Sequence, residues 1–227
     1  MESSLKKFLE QFLNFKVVGK KVVIPYWKND LKKSIFGPFG GKGTPEQIKQ
    51  AVTEAALKVN LNLENLSPNE IHMLMKQNKI GLDCSGFAYQ ILNFLGKEKY
   101  GEGIENKVKG VNGQGITKTN ADALANIENT IIVKDLKEVQ VGDLLRFSGG
   151  RHIAVIVEKT PQNIIYAHIS KRTETEGPHL AKIIITNPNL GLEDQEWQEK
   201  TKDKFNFGKK NYLPKQGDSI RRLKFWR

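Results

Sequence analysis

The sequence predicts an α+β fold in which helices from the first half pack on an antiparallel sheet of about five or six strands from the second. Two proline-led capping motifs precede the chain's one cysteine, apolar residues at helical spacing follow it, and β-rich runs succeed one another across turns from residue 143 onward. With 227 residues the chain is long enough for one sizeable core, and a single domain is expected throughout. Within it, residues 1–79 form a helical elaboration, 80–170 the core with the candidate chemistry, and 171–227 the completing strands and a basic C-terminal segment.

The first element is an amphipathic helix, with Leu5, Phe8, Leu9, Phe12 and Leu13 on one face and Lys6, Lys7, Glu10 and Gln11 on the other. Val17-Val18 and Val22-Val23-Ile24 read as short strands leading to Pro25-Tyr26-Trp27. Gly37-Pro38-Phe39-Gly40-Gly41-Lys42-Gly43 is a loop; it lacks the Gly-Lys-Ser/Thr ending of a phosphate-binding loop, so that reading is rejected. Thr44-Pro45-Glu46-Gln47 and Ser67-Pro68-Asn69-Glu70 have the form of capping boxes and open helices toward residues 59 and 79. His72, among the apolar positions of the second, reads as packing or surface. Phe87, Ile91 and Leu95 recur at four-residue spacing, which predicts a buried helix starting at Cys84 and stopping at Gly96.

Residues 97–138 form an elaborated connection with a short helix at 120–125 and a strand at 131–133. Strands are then expected at 143–147, 152–157, 164–170, 181–186 and 219–226, with residues 187–218 a loop around one helix near 193–200.

The net charge of +11 is uneven: residues 1–33 carry 8 basic and 3 acidic side chains, residues 200–227 carry 10 and 2, and the middle carries 18 and 20. That distribution implies an anionic neighbour for the two ends, such as wall polymer, nucleic acid or lipid, rather than an anionic substrate in the site. The competing reading is a solvated basic surface. The first residues lack the apolar run of a signal peptide and no later segment has the length of a membrane span. As written, the chain reads as soluble and unexported.

A cysteine in the first turn of a helix meets unpaired N–H groups and the positive end of the dipole, both of which favour the thiolate. Cys84 is therefore a candidate nucleophile, and Gly86 leaves room for another backbone to come close. The ordinary fate of a free cysteine is burial as a small hydrophobe, so the chemistry needs a partner base. The hairpin over residues 152–157 and 163–170 offers one. With Lys159-Thr160-Pro161 at its tip, His152 lies opposite His168, and a slip of one pair leaves them on the same face. His152 would exchange a proton with sulfur and leaving amine, while His168 fixes its tautomer and orientation. The alternatives are two solvated cross-strand histidines, or a metal site lacking its other ligands. One cysteine excludes an intramolecular disulfide, no His/Cys cluster has structural-zinc spacing, and no cofactor is expected.

Asp83-Cys84-Ser85-Gly86-Phe87, Gly142-Asp143-Leu144-Leu145-Arg146-Phe147, His152-Ile153-Ala154-Val155-Ile156-Val157 and His168 resemble, in order and character, the NlpC-type bacterial cell-wall cysteine peptidases of the papain-like superfamily. The likeness spans about residues 80–170. It implies a papain-like fold, a Cys84-His152-His168 triad and cleavage of an amide bond in peptidoglycan stem peptides, commonly between D-glutamate and a diamino acid. It further implies that Asp83 and Ser85 contact substrate, the carboxylate pairing with a free ammonium, and that Tyr26 matches the family's upstream tyrosine. A wall substrate would put the protein in the cell envelope or outside it, reached by trimming or by another route than a signal peptide, or else leave it inside to act on imported wall fragments.

Another papain-like amidase or a protein-directed cysteine peptidase would use the same triad. From a different class, the basic ends and Trp226 allow a nucleic-acid-binding protein, although the middle of the chain has no interleaved basic and aromatic stretch. An inactive binding module is disfavoured because all three triad positions are filled.

Overall fold

The computed structural model describes residues 1–30 and 32–226. Helix α1 (Ser3–Leu13) buries Leu5, Leu9 and Phe12, as its apolar stripe requires. A minimal hairpin of β1 (Lys16–Val17) and β2 (Lys20–Lys21) follows, tighter than the two valine-rich strands expected from sequence. Helices α2 (Pro45–Lys58) and α3 (Pro68–Gln77) each carry both arms of the capping box, from Thr44 with Gln47 and from Ser67 with Glu70.

Helix α4 (Cys84–Tyr100) is the longest, and Phe87, Ala88, Ile91, Leu92 and Leu95 are each at most 1% exposed. It does not stop at Gly96. The helix ends at Gly101 in the left-handed conformation, and Gly96 serves instead as a point of close approach, since a Cβ there would lie 2.8 Å from the Glu102 carbonyl oxygen. Gly86 has the role expected of it. A Cβ at that position would meet the Gly41 carbonyl oxygen at 2.5 Å and Lys42 Cα at 2.8 Å, both backbone atoms.

Gly86→Ala is accordingly expected to lower the melting temperature by several degrees. Overpacking costs about 2–3 kcal/mol against about 1 kcal/mol regained in helix propensity, and each kcal/mol is worth roughly 2–4 °C at this size. An unchanged midpoint by circular dichroism would show that the Gly41–Lys42 segment yields freely.

After α5 (Ala121–Ala125), capped by Asn120, the chain is mainly β. Strands β3 (Thr130–Val133), β4 (Leu144–Phe147), β5 (His152–Lys159), β6 (Asn163–Ile169), β7 (Pro178–Ile184), β8 (Glu196–Trp197) and β9 (Ile220–Leu223) form one antiparallel sheet. Its order is β3-β9-β4-β5-β6-β7-β8, seven strands where five or six were expected. The extra strand is β8, in the segment read as a helix near 193–200. Trp197 is 3% exposed and its indole N–H donates to the Leu192 carbonyl 3.1 Å away, so tertiary burial overrides local pattern there. The helix in this region comes later, as α6 (Phe207–Asn211).

Alternation along the strands divides the interior in two. Ile153, Val155 and Val157 face α1 to α4, whereas Ala154, Ile156 and Tyr166 join Phe147, Trp197 and Phe207 on the other side. Among the described residues, no helix is long and apolar enough to cross a membrane.

The β5–β6 register differs from expectation. Val155 pairs with Ala167 and Ile156 with Tyr166; after a bulge, Glu158 pairs with Ile165 and Lys159 with Ile164. The tip is built on Thr160 and Asn163, joined by a 2.9 Å backbone bond, rather than on residues 159–161. His152 and His168 are therefore diagonal, not directly opposed, and on one face as parity demands.

Candidate active site

Three separated stretches of sequence meet at the start of α4. Leu82 N–H donates to the Pro25 carbonyl and Trp27 N–H to the Leu82 carbonyl, each at 3.0 Å, which sets Tyr26 alongside Leu82 in a parallel bridge. From the glycine-rich loop, the Gly41 carbonyl accepts from Asp83 N–H at 2.7 Å. Asp83 caps the helix, its Oδ1 accepting from Gly86 N–H at 2.6 Å. Cys84 is thus the first residue of α4, 6% exposed, with Tyr26 beside it.

The helix start is not the strongest influence on the sulfur. Burial, reinforced by the Asp83 carboxylate, pushes the Cys84 thiol up to about 11, against the opposing pull of the Ile153 N–H and of Lys42. Burial thus opposes the preference for a thiolate expected of a helix start. Burial, then Cys84 and Asp83, also hold the Tyr26 phenol well above its ordinary range, so it remains an O–H donor.

Asp83 and Ser85 line the cleft beside Cys84, but their polar atoms are occupied. Lys42, 8% exposed, reaches Asp83 Oδ1 at 3.1 Å and Oδ2 at 3.2 Å and donates to Ser85 Oγ at 2.5 Å; Ser85 in turn donates to Asp83 Oδ1 at 2.8 Å. An internal ammonium therefore sits where a substrate amine was expected to pair with Asp83.

His152 begins β5, directly after the Ser148–Gly150 turn, and lines the same cleft as Cys84. Its Nε2 lies 2.8 Å from His168 Nδ1. Beyond His168 the network continues through three residues that sequence reasoning missed. His168 Nε2 is 2.8 Å from Glu199 Oε1, His179 Nε2 is 2.7 Å from the same oxygen, and Tyr166 O–H donates to Glu199 Oε2 at 2.6 Å. His179 is the partner of His168 across β6–β7, a relation readable only once that register is known. Glu199 comes from irregular chain after β8 and carries no periodic signal.

These distances assign the protons. A carboxylate only accepts, so His168 Nε2 carries a proton and Nδ1 its lone pair. His152 Nε2 must then donate, which leaves the lone pair of His152 on Nδ1. His179 Nδ1 lies 2.8 Å from the Gly177 carbonyl oxygen and its Nε2 2.7 Å from the carboxylate. Burial raises the Glu199 carboxyl, but His168 and His179 outweigh it and hold that group well below the usual carboxylate range. Burial, then His168, and further Arg172, keep His152 well below its ordinary value. The resting pair is a neutral thiol and a neutral imidazole.

His168, His179 and Glu199 place one ligand atom each within 4.8 Å of one another, close enough to hold a cation. In this arrangement those atoms are engaged in hydrogen bonds with one another.

The cleft has a volume of about 530 Å³. Lys28, Arg151, Lys171 and Arg172 line it together with Asp83 and Asp122. Three of the four cations come from the middle of the chain, whose near-neutral count had pointed away from a charged site. Folding, not composition, gathers them.

The chain matches no family model, no curated protein and no solved structure.

Proposed function

We propose that this protein is a cysteine hydrolase that cleaves an amide bond, with Cys84 as nucleophile, His152 as general base and acid, and His168 as the residue that orients it. The observation that carries the reading is that Cys84, heading α4, and His152, heading β5, line one cleft while the outer nitrogen of His152 is tied to His168. His152 Nδ1, holding the lone pair, takes the proton from sulfur as it attacks the carbonyl carbon and delivers it to the leaving amine; the resulting thioester is then opened by a water whose proton passes through the same nitrogen back to sulfur, releasing the acid. Because thiol and imidazole both rest neutral, that transfer accompanies attack instead of preceding it. The imidazolium so formed is supported through His168 by the charge of Glu199. The Tyr26 hydroxyl, beside the sulfur, is the donor that meets the developing oxyanion.

The fold is read as papain-like, and the substrate as a peptidoglycan stem peptide cut between D-glutamate and a diamino acid. That reading is supported by the resemblance of residues 80–170 to the NlpC-type peptidases. Incubation with purified wall peptides, followed by mass spectrometry, is expected to yield products separated at that bond. Intact stem peptides alongside hydrolysis of other amides would retain the mechanism and replace the substrate.

A further inference from the structure

The chemistry just described leaves the charge of the cleft unused. Among the described residues, none of Lys28, Arg151, Lys171 and Arg172 forms an ion pair. The two carboxylates in the lining are already paired, Asp83 with Lys42 at 3.1 Å and Asp122 with Arg146 at 3.3 Å. Both guanidinium groups are oriented by neutral oxygens, Arg151 Nε by the Ser148 carbonyl at 2.9 Å and Arg172 Nη1 by Asn211 Oδ1 at 3.1 Å. Their direction is fixed while their charge stays free.

The cationic wall continues beyond the cleft. An adjoining hollow of about 430 Å³ shares Arg151, Lys171 and Arg172 and adds Lys202, which forms no ion pair among the described residues, and Lys210, which pairs with the hollow's one carboxylate, Asp203, at 3.8 Å. Backbone pairing joins the two parts: Lys202 N–H donates to the Arg172 carbonyl at 2.9 Å, and Thr173 bridges Thr201. A concave surface with several unpaired cations concentrates anions, and guanidinium groups match carboxylates in shape as well as charge. The one anionic group beside the nucleophile that could greet a substrate amine is neutralised by Lys42.

We propose that this groove binds an acidic peptide, so that the substrate carries carboxylates along the side running from Cys84 toward Lys202. The position of the scissile bond rests on the hydrolase reading; the binding does not.

The test is a fluorescence-anisotropy titration of the full chain carrying Cys84→Ala with labelled hexaglutamate and hexaglutamine. Hexaglutamate is expected to bind about tenfold or more tighter, an advantage that shrinks as salt rises from about 0.05 to 0.3 M. Lys171→Glu with Lys202→Glu, both at exposed positions, should remove that advantage. Lys58→Glu with Lys99→Glu, the same change in net charge at exposed positions outside the groove, should keep it. Equal binding of the two peptides, or equal loss in the two double variants, overturns the proposal. So does tighter binding of an oligonucleotide of equal charge, which would make the occupant nucleic acid. A wild-type protein inert toward every amide would remove the hydrolase reading and leave the titration standing; turnover indifferent to acidic flanks, with no hexaglutamate preference, would remove the groove alone.

Discussion

Replacing Cys84 by alanine is expected to abolish amide hydrolysis while leaving the fold in place. Alanine keeps the helix propensity of the first turn, and the Asp83 cap and the bonds from Gly41 and Pro25 do not involve the sulfur. Activity should fall to the level of the uncatalysed background, with a circular dichroism spectrum and melting profile close to those of the parent. The intact protein should also show the raised thiol directly. Alkylation of Cys84 by iodoacetamide is slow at neutral pH and keeps accelerating through pH 9, because the thiol ionises only toward about 11. A plateau below pH 8 would mean that a thiolate is already present, and turnover surviving in the alanine variant would end the cysteine mechanism.

The second large effect concerns the imidazole chain. His152→Ala should lose nearly all activity, since in the proposed mechanism His152 takes the proton from sulfur and returns it to the leaving amine. His168→Gln can still hydrogen-bond His152 Nε2 and should retain measurable turnover, with His168→Ala lower because the ring is left unheld. Glu199→Gln keeps an acceptor for His168 but removes the charge, and should cost roughly 10- to 100-fold. It also carries a distinguishing sign. Loss of the carboxylate makes protonated His152 less stable, so the acid limb of the rate profile moves to lower pH. If His168 variants prove more damaged than His152 variants, base and orienter are exchanged; if none matters, the chain of imidazoles has no part in the reaction.

Much of this site could be read before folding because local rules govern it. The capping boxes of α2 and α3, the cysteine at a helix start and the alternation of a strand are short-range statements, and parity alone put His152 and His168 on one face. The errors arose where distant chain intervenes. Gly96 looked like a helix stop because the loop that packs on it is invisible in a helical pattern. The bulge near Val157 shifted the register, and Trp197 formed an edge strand by burying itself on the far side of the sheet. Glu199 and His179 were missed for the same reason, since the approach of irregular chain to a strand leaves no periodic trace. Asp83 had an assigned partner, but not Lys42, which arrives from the glycine loop.

The place of β9 between β3 and β4 has a bearing on how the protein is made. Chains emerge from the ribosome N-terminus first, so α4 and its cysteine are complete long before residues 220–223 appear. Until then β4, which carries the turn leading to His152, lacks a neighbour on one side, and Glu199 has yet to be synthesised for most of that interval. The sulfur is thus made early, while the strand that completes the flank of β4 and the carboxylate that holds His168 follow more than ninety residues later.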